Sequence, residues 1–157
     1  MKVIQVTPGI IPIPPNGWGA VEKIIWEYKL KLDALGVDSQ IKYLNEVPLN
    51  GVDIVHIHMA NLAIEAKQRG IPYVFSLHDH HVVHNGRGSA NYNENLEAIK
   101  GSIISFCHAE YLVDFFEETD KLFYLSHGVD TDFFKCENPI KTEHRLLCLA
   151  NNGLAGD

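Results

Sequence analysis

Short apolar runs alternate along this chain with segments of helical period, and most connections between them are brief. Val3–Val6 is a compact apolar run that ends at Thr7-Pro8. Ser39–Leu44 sets Gln40 and Lys42 against Ile41 and Tyr43, and Asp53–His58, Tyr73–Leu77, Ser102–Phe106 and Lys121–Leu125 repeat the strand pattern. Between them, Val21, Ile24, Ile25, Tyr28, Leu32 and Leu35 recur at helical spacing, with Gly36 placed to cap the helix. Asn61–Arg69, closed by Gly70 and followed by Pro72, and Ala109–Glu117 read as further helices. Polar sequence rich in Gly and Asn runs from the end of the fourth strand to about Asn93, with a helix from there to Ile99. Several strands are apolar on both faces, which suits a buried parallel sheet. The expected fold is therefore α/β, a Rossmann-like doubly wound parallel sheet.

The chain has 157 residues. Residues 1–140 read as one domain. The polar stretch "KCENPIKTEH" then precedes "RLLCLANNGLAGD", a strand at 145–150 with no covering helix, so 141–157 reads as a linker and the first strand of another domain. A net charge of −7 argues against a nucleic-acid partner, which needs a basic surface. No apolar run is long enough to span a membrane, and the N-terminus lacks the pattern of a signal peptide. Cys107, Cys136 and Cys148 lack a CxxC spacing and read as free thiols. The expected location is cytoplasmic, with peripheral attachment to a membrane left open.

Two features carry chemistry. In "PNGWGAVE", Gly17 and Gly19 bracket Trp18 after a proline-rich loop and before the first helix. A helix N-terminus offers unpaired N–H groups and a positive dipole end to a phosphate, and glycine lets an anion approach. Trp18 is placed to lie against a sugar or base. The same residues also serve as a plain turn leading into a helix, and the motif is neither a full GxGxxG nor a Walker loop.

The second feature is histidine. Six of the nine lie between His56 and His84. His56 and His58 are two apart on a strand and share a face. His78, Asp79, His80 and His81 follow the next strand directly. A zinc site needs about three converging ligands, the HDHH spacing is not the HxHxDH of the metallo-β-lactamase hydrolases, and the amidohydrolases that the His-Ile-His strand resembles use a far longer barrel, so no metal is expected. His78 ends a strand on the ligand side of the sheet. His56, His58, Asp79 and His80 either line a cleft or cap backbone groups.

In order, these segments resemble the N-terminal domain of family 4 glycosyltransferases, retaining enzymes of the GT-B fold. "PPNGWGAVEKIIWEYKLKLDALGVD" is similar to the family's glycine loop and first helix, "VDIVHIHMA" to its histidine-bearing strand, and "GIPYVFSLHDHH" to the strand ending in His-Asp. "LSHGVDTDFF" is the most specific of the four. The resemblance implies one half of a GT-B fold, the acceptor-side domain of an enzyme moving sugar from a nucleotide-sugar donor to a hydroxyl acceptor. It implies His78 as the catalytic residue facing the donor sugar, and Gly17, Trp18 and Gly19 beside the donor diphosphate. It implies no cofactor beyond the nucleotide-sugar co-substrate, and dependence on a C-terminal donor-binding domain. The sequence departs from the family at Asn151-Asn152, where Gly-Arg is usual, and at His108, where a serine is usual. The other reading is a stand-alone Rossmann-like module that binds nucleotide or sugar without catalysis.

Overall fold

The computed structural model describes residues 1–128 and 131. Met1–His127 form one compact unit, and the second unit, Gly128–Asp157, falls almost wholly outside the described residues. The strand expected at 145–150, the Val129-Asp130 turn, Cys136 and Cys148 lie there too.

Six strands build one sheet: β1 (Lys2–Val6), β2 (Asp38–Lys42), β3 (Ile54–Ile57), β4 (Val74–Leu77), β5 (Ile104–Cys107) and β6 (Leu122–Tyr124). Their order is β2-β1-β3-β4-β5-β6, and every neighbouring pair is parallel. The fold is thus the Rossmann-like α/β architecture that the alternation predicts. The chain steps from β1 to β2 in one direction, crosses back over β1, and then advances the other way. Parallel crossovers are right-handed, so this reversal sends the helices to opposite faces.

On one face lies α1 (Ala20–Ala34), whose Tyr28 stacks on His56 with ring centroids 5.6 Å apart. Its C-terminus closes as a Schellman motif. Val37 N–H donates to the Leu32 carbonyl at 3.0 Å and Gly36 N–H to the Asp33 carbonyl at 2.9 Å. Gly36 takes φ +75°, a left-handed conformation that glycine adopts without strain. On the other face lie α2 (Ala60–Gln68), α4 (Ala90–Gly101) and α5 (Glu110–Phe115). Strand residues alternate faces, so Ile4, Val6, Ile57, Phe75 and Leu77 point to that side. They share one buried cluster with Ala63, Ala66, Ala98, Ile99, Leu112 and Phe116.

Two expectations need correcting. The second strand stops at Lys42, and Leu44–Glu46 forms a single 3-10 turn that buries Leu44. The stretch expected to be loop as far as Asn93 contains α3 (His81–Asn85) and the whole first turn of α4. Local hydrogen bonds support the start of each helix. Asp79 Oδ1 accepts from the His81 amide at 2.8 Å, and Ser89 Oγ accepts from the Tyr92 amide at 3.1 Å. Val82 and Tyr92 are then buried in the core. Among the described residues no helix is long and apolar enough to cross a membrane.

Candidate functional site

Open parallel sheets bind ligands beyond the carboxyl ends of the strands, where the strand order reverses. Here that point lies between β1 and β3. A cavity of about 610 Å³ opens there. Its walls come from the loop after β1 (Pro8, Ile10, Ile11), the start of α1 (Trp18 to Glu22), the ends of β3 and β4 (His58, His78, Asp79) and α4 (Asn91, Glu94, Asn95). The proline-rich loop thus does line a cleft.

The structure brings Trp18, Gly19, His58, His78 and Asp79 together around this cavity and leaves Gly17, His56 and His80 out of its walls. Trp18 stands at the wall with 75% of its surface exposed, so its indole face is available to stack. Gly19 is the N-cap of α1 at φ +130° and is buried. Gly17 has φ +85° and open space where a side chain would go. His80 Nδ1 pairs with the Tyr111 hydroxyl at 2.8 Å. Asp79 is held on both oxygens, by the His81 amide and by Asn91 Nδ2 at 2.6 Å, so it fixes the end of β4 to α4.

Glu22 was not singled out by the sequence. It lies three residues after the N-cap, a position where acidic side chains favour the helix dipole, and that spacing was the available signal. It is 5% exposed and lines the cavity. A methyl group on Gly19 would lie 3.2 Å from Glu22 Oε2. A carboxylate therefore stands where the sequence reading places a phosphate. Among the described residues Glu22, Asp79 and Glu94 are the charged ones in the wall, and no Lys or Arg lines it. Such a wall, with the amides of Asn61, Asn91 and Asn95, suits a ligand rich in hydroxyl groups better than a polyanion.

Behind the cavity runs a chain of imidazoles on the α1 face of the sheet. Gln5 Oε1 lies 2.9 Å from His58 Nε2, and His58 Nδ1 lies 3.0 Å from His78 Nε2. An amide oxygen only accepts, so His58 carries its proton on Nε2. Its Nδ1 then accepts from His78 Nε2–H, which leaves His78 Nδ1 as a lone pair. His56 Nε2 pairs with Ser76 Oγ at 2.8 Å, and its ring lies 4.2 Å from that of His58.

Burial dominates the titration of these rings. It holds His56 down at about 4 and His78 at about 3, with neighbouring imidazoles adding to the effect. His58, wholly enclosed, is pushed well below the ordinary 6.5 by burial first and by His56 and His78 next. The relay is therefore neutral near pH 7, and His78 meets the cavity as an uncharged ring.

Comparison with family models, with curated proteins and with solved structures gave no match. The functional argument therefore rests on the chemistry of the site itself.

Proposed function

We propose that this chain is the acceptor-side half of a retaining glycosyltransferase, and that sugar rings occupy the cavity between β1, β3 and β4. The observation that carries the reading is the composition of that cavity. An exposed indole, an uncharged His78, a row of asparagines and three carboxylates meet at the switch point of a parallel sheet. Asparagine and carboxylate oxygens accept from sugar hydroxyls, and an indole covers the apolar face of a pyranose. His78 Nδ1 accepts a hydroxyl hydrogen bond without changing charge. In this reading the grip on the diphosphate falls to a donor-binding partner domain, in keeping with a wall that among the described residues holds no Lys or Arg, and Gly17 and Gly19 give only loop amides near it.

In this reading the reaction transfers a sugar from a nucleotide-sugar to a hydroxyl acceptor. Departing diphosphate gains charge, and fixed dipoles stabilise it. The test is calorimetric titration with free hexoses, nucleoside diphosphates and nucleotide-sugars. Free sugars and nucleotide-sugars are expected to bind, and nucleoside diphosphates more weakly than the matching nucleotide-sugar. His78→Ala is expected to weaken sugar binding at least about tenfold, or about 1.4 kcal/mol, while His84→Ala leaves it unchanged. Binding of diphosphates alone, with no contribution from the sugar, overturns the assignment. Formation of product separates transfer from a binding module, and the product's anomeric configuration separates retaining from inverting transfer.

A further inference from the structure

We propose that His78, His108 and His127 form a binding site for a first-row transition-metal ion, zinc by default, at the carboxyl edge of the sheet. His78 follows β4 and His108 follows β5, and the register Leu77 to Cys107 sets them side by side. His127 comes just after β6. One ring nitrogen from each of the three lies within 4.8 Å of the others.

The tautomers favour ligation. His108 Nδ1–H donates to the Leu125 carbonyl at 2.8 Å. Its Nε2 is therefore a bare lone pair. That atom is shut off from water and, among the described residues, has no hydrogen-bond partner. A buried acceptor left without a donor carries a desolvation cost, which a bound cation would offset. His78 reaches the same state by another route, because its Nε2–H is committed through His58 to Gln5 and its Nδ1 stays open. A ring with one N–H fixed by an oxygen or imidazole and the other nitrogen open is the usual arrangement of a metal-bound histidine.

Three neutral imidazoles suit zinc, copper or nickel and do not suit magnesium or calcium, which prefer oxygen. Zinc–nitrogen bonds of about 2.0–2.1 Å place tetrahedral ligands roughly 3.3 Å apart. The rings now lie stacked, His108 on His127 with centroids 3.4 Å apart and on His78 at 4.9 Å, so ligation requires them to turn until their lone pairs converge, beginning with the exposed His127. His78 also lines the sugar cavity, so an ion held here would compete with the cavity's ligand for Nδ1. The site itself does not depend on the sugar reading.

The test uses untagged protein stripped with chelator and titrated with zinc by calorimetry. Cobalt serves as the spectroscopic probe. One ion per chain is expected, with the intense visible bands of four-coordinate cobalt. His108→Gln and His127→Gln are each expected to weaken binding by at least the roughly 10–100-fold lost when a supporting contact is removed from a metal site. His84→Gln, an exposed histidine outside the group, is expected to bind as wild type. His127→Gln alters an exposed ring, so it keeps the test valid even if His108→Gln fails to fold. No stoichiometric zinc uptake, or wild-type affinity in His127→Gln, overturns the proposal. Neither result bears on sugar binding, which is read separately in metal-free protein.

Discussion

Taking the protein from about pH 7.5 to about pH 5 is expected to lower its unfolding free energy by about 4 kcal/mol through His56 and His78, with His58 acting in the same direction. The direction follows from proton counting. Unfolded histidines take up protons near 6.5, whereas folded His56 does so only at about 4 and folded His78 at about 3, and burial holds His58 well below 6.5 as well. Between those values the unfolded state binds more protons, so stability falls as pH falls. The slope is half its full value at about 6.5 and fades away by about pH 8. At about pH 5 His56 and His78 each contribute about 2 kcal/mol. Small domains have only about 5–15 kcal/mol in total, so mild acid is expected to remove a large share of the stability.

Urea melts across this range read the effect. His58→Gln keeps a hydrogen-bonding side chain but removes one titrating ring. Its slope is expected to fall by about one proton, or about 1.4 kcal/mol per pH unit. Stability that stays level from about pH 7.5 to about pH 5 would contradict the neutral relay.

Gly19→Ala is expected to cost about 2–4 kcal/mol of stability and at least about tenfold in sugar affinity. Position 19 has φ +130°, outside the regions open to a residue with a side chain. A new Cβ would also lie 3.2 Å from both Glu22 Oε2 and the Pro15 Cβ, and 3.4 Å from Ile11 Cδ1. Those neighbours hold the proline loop against the start of α1, so any relief of strain shifts the cavity wall. Gly17→Ala is the comparison. Its φ of +85° is left-handed, but the space around it is open, and about 1–2 kcal/mol is expected with little effect on the cavity. Melting curves and sugar titrations of the two variants read the difference. Equal losses at the two positions would mean that the loop does not shape the site.

How much was legible in advance depended on range. The strands and α1 could be read because apolar period is a local signal, and Gly36 marks the helix end within two residues. The helix α3 and the first turn of α4 could not be placed, because residues 81–93 lack an apolar period. They are held by Ser89, by Asp79 and by the burial of Val82 and Tyr92 against distant parts of the chain. The expectation that His56 and His58 share a strand face depends on local alternation alone. Their partners Gln5, Ser76 and Tyr28 depend on strand order, which the sequence pattern does not supply. His58, His78 and His108 each directly follow a parallel strand, and only the observed order β3-β4-β5 turns that pattern into a row.

The account stands most directly on an NMR titration of labelled protein with nucleotide-sugars and free hexoses, following backbone amides and histidine ring nitrogens. A sugar-binding cavity should shift Gly19, His58, His78, Asp79 and Asn95, and leave His84 where it was. Shifts confined to other regions, or none with any sugar at millimolar concentration, would contradict it.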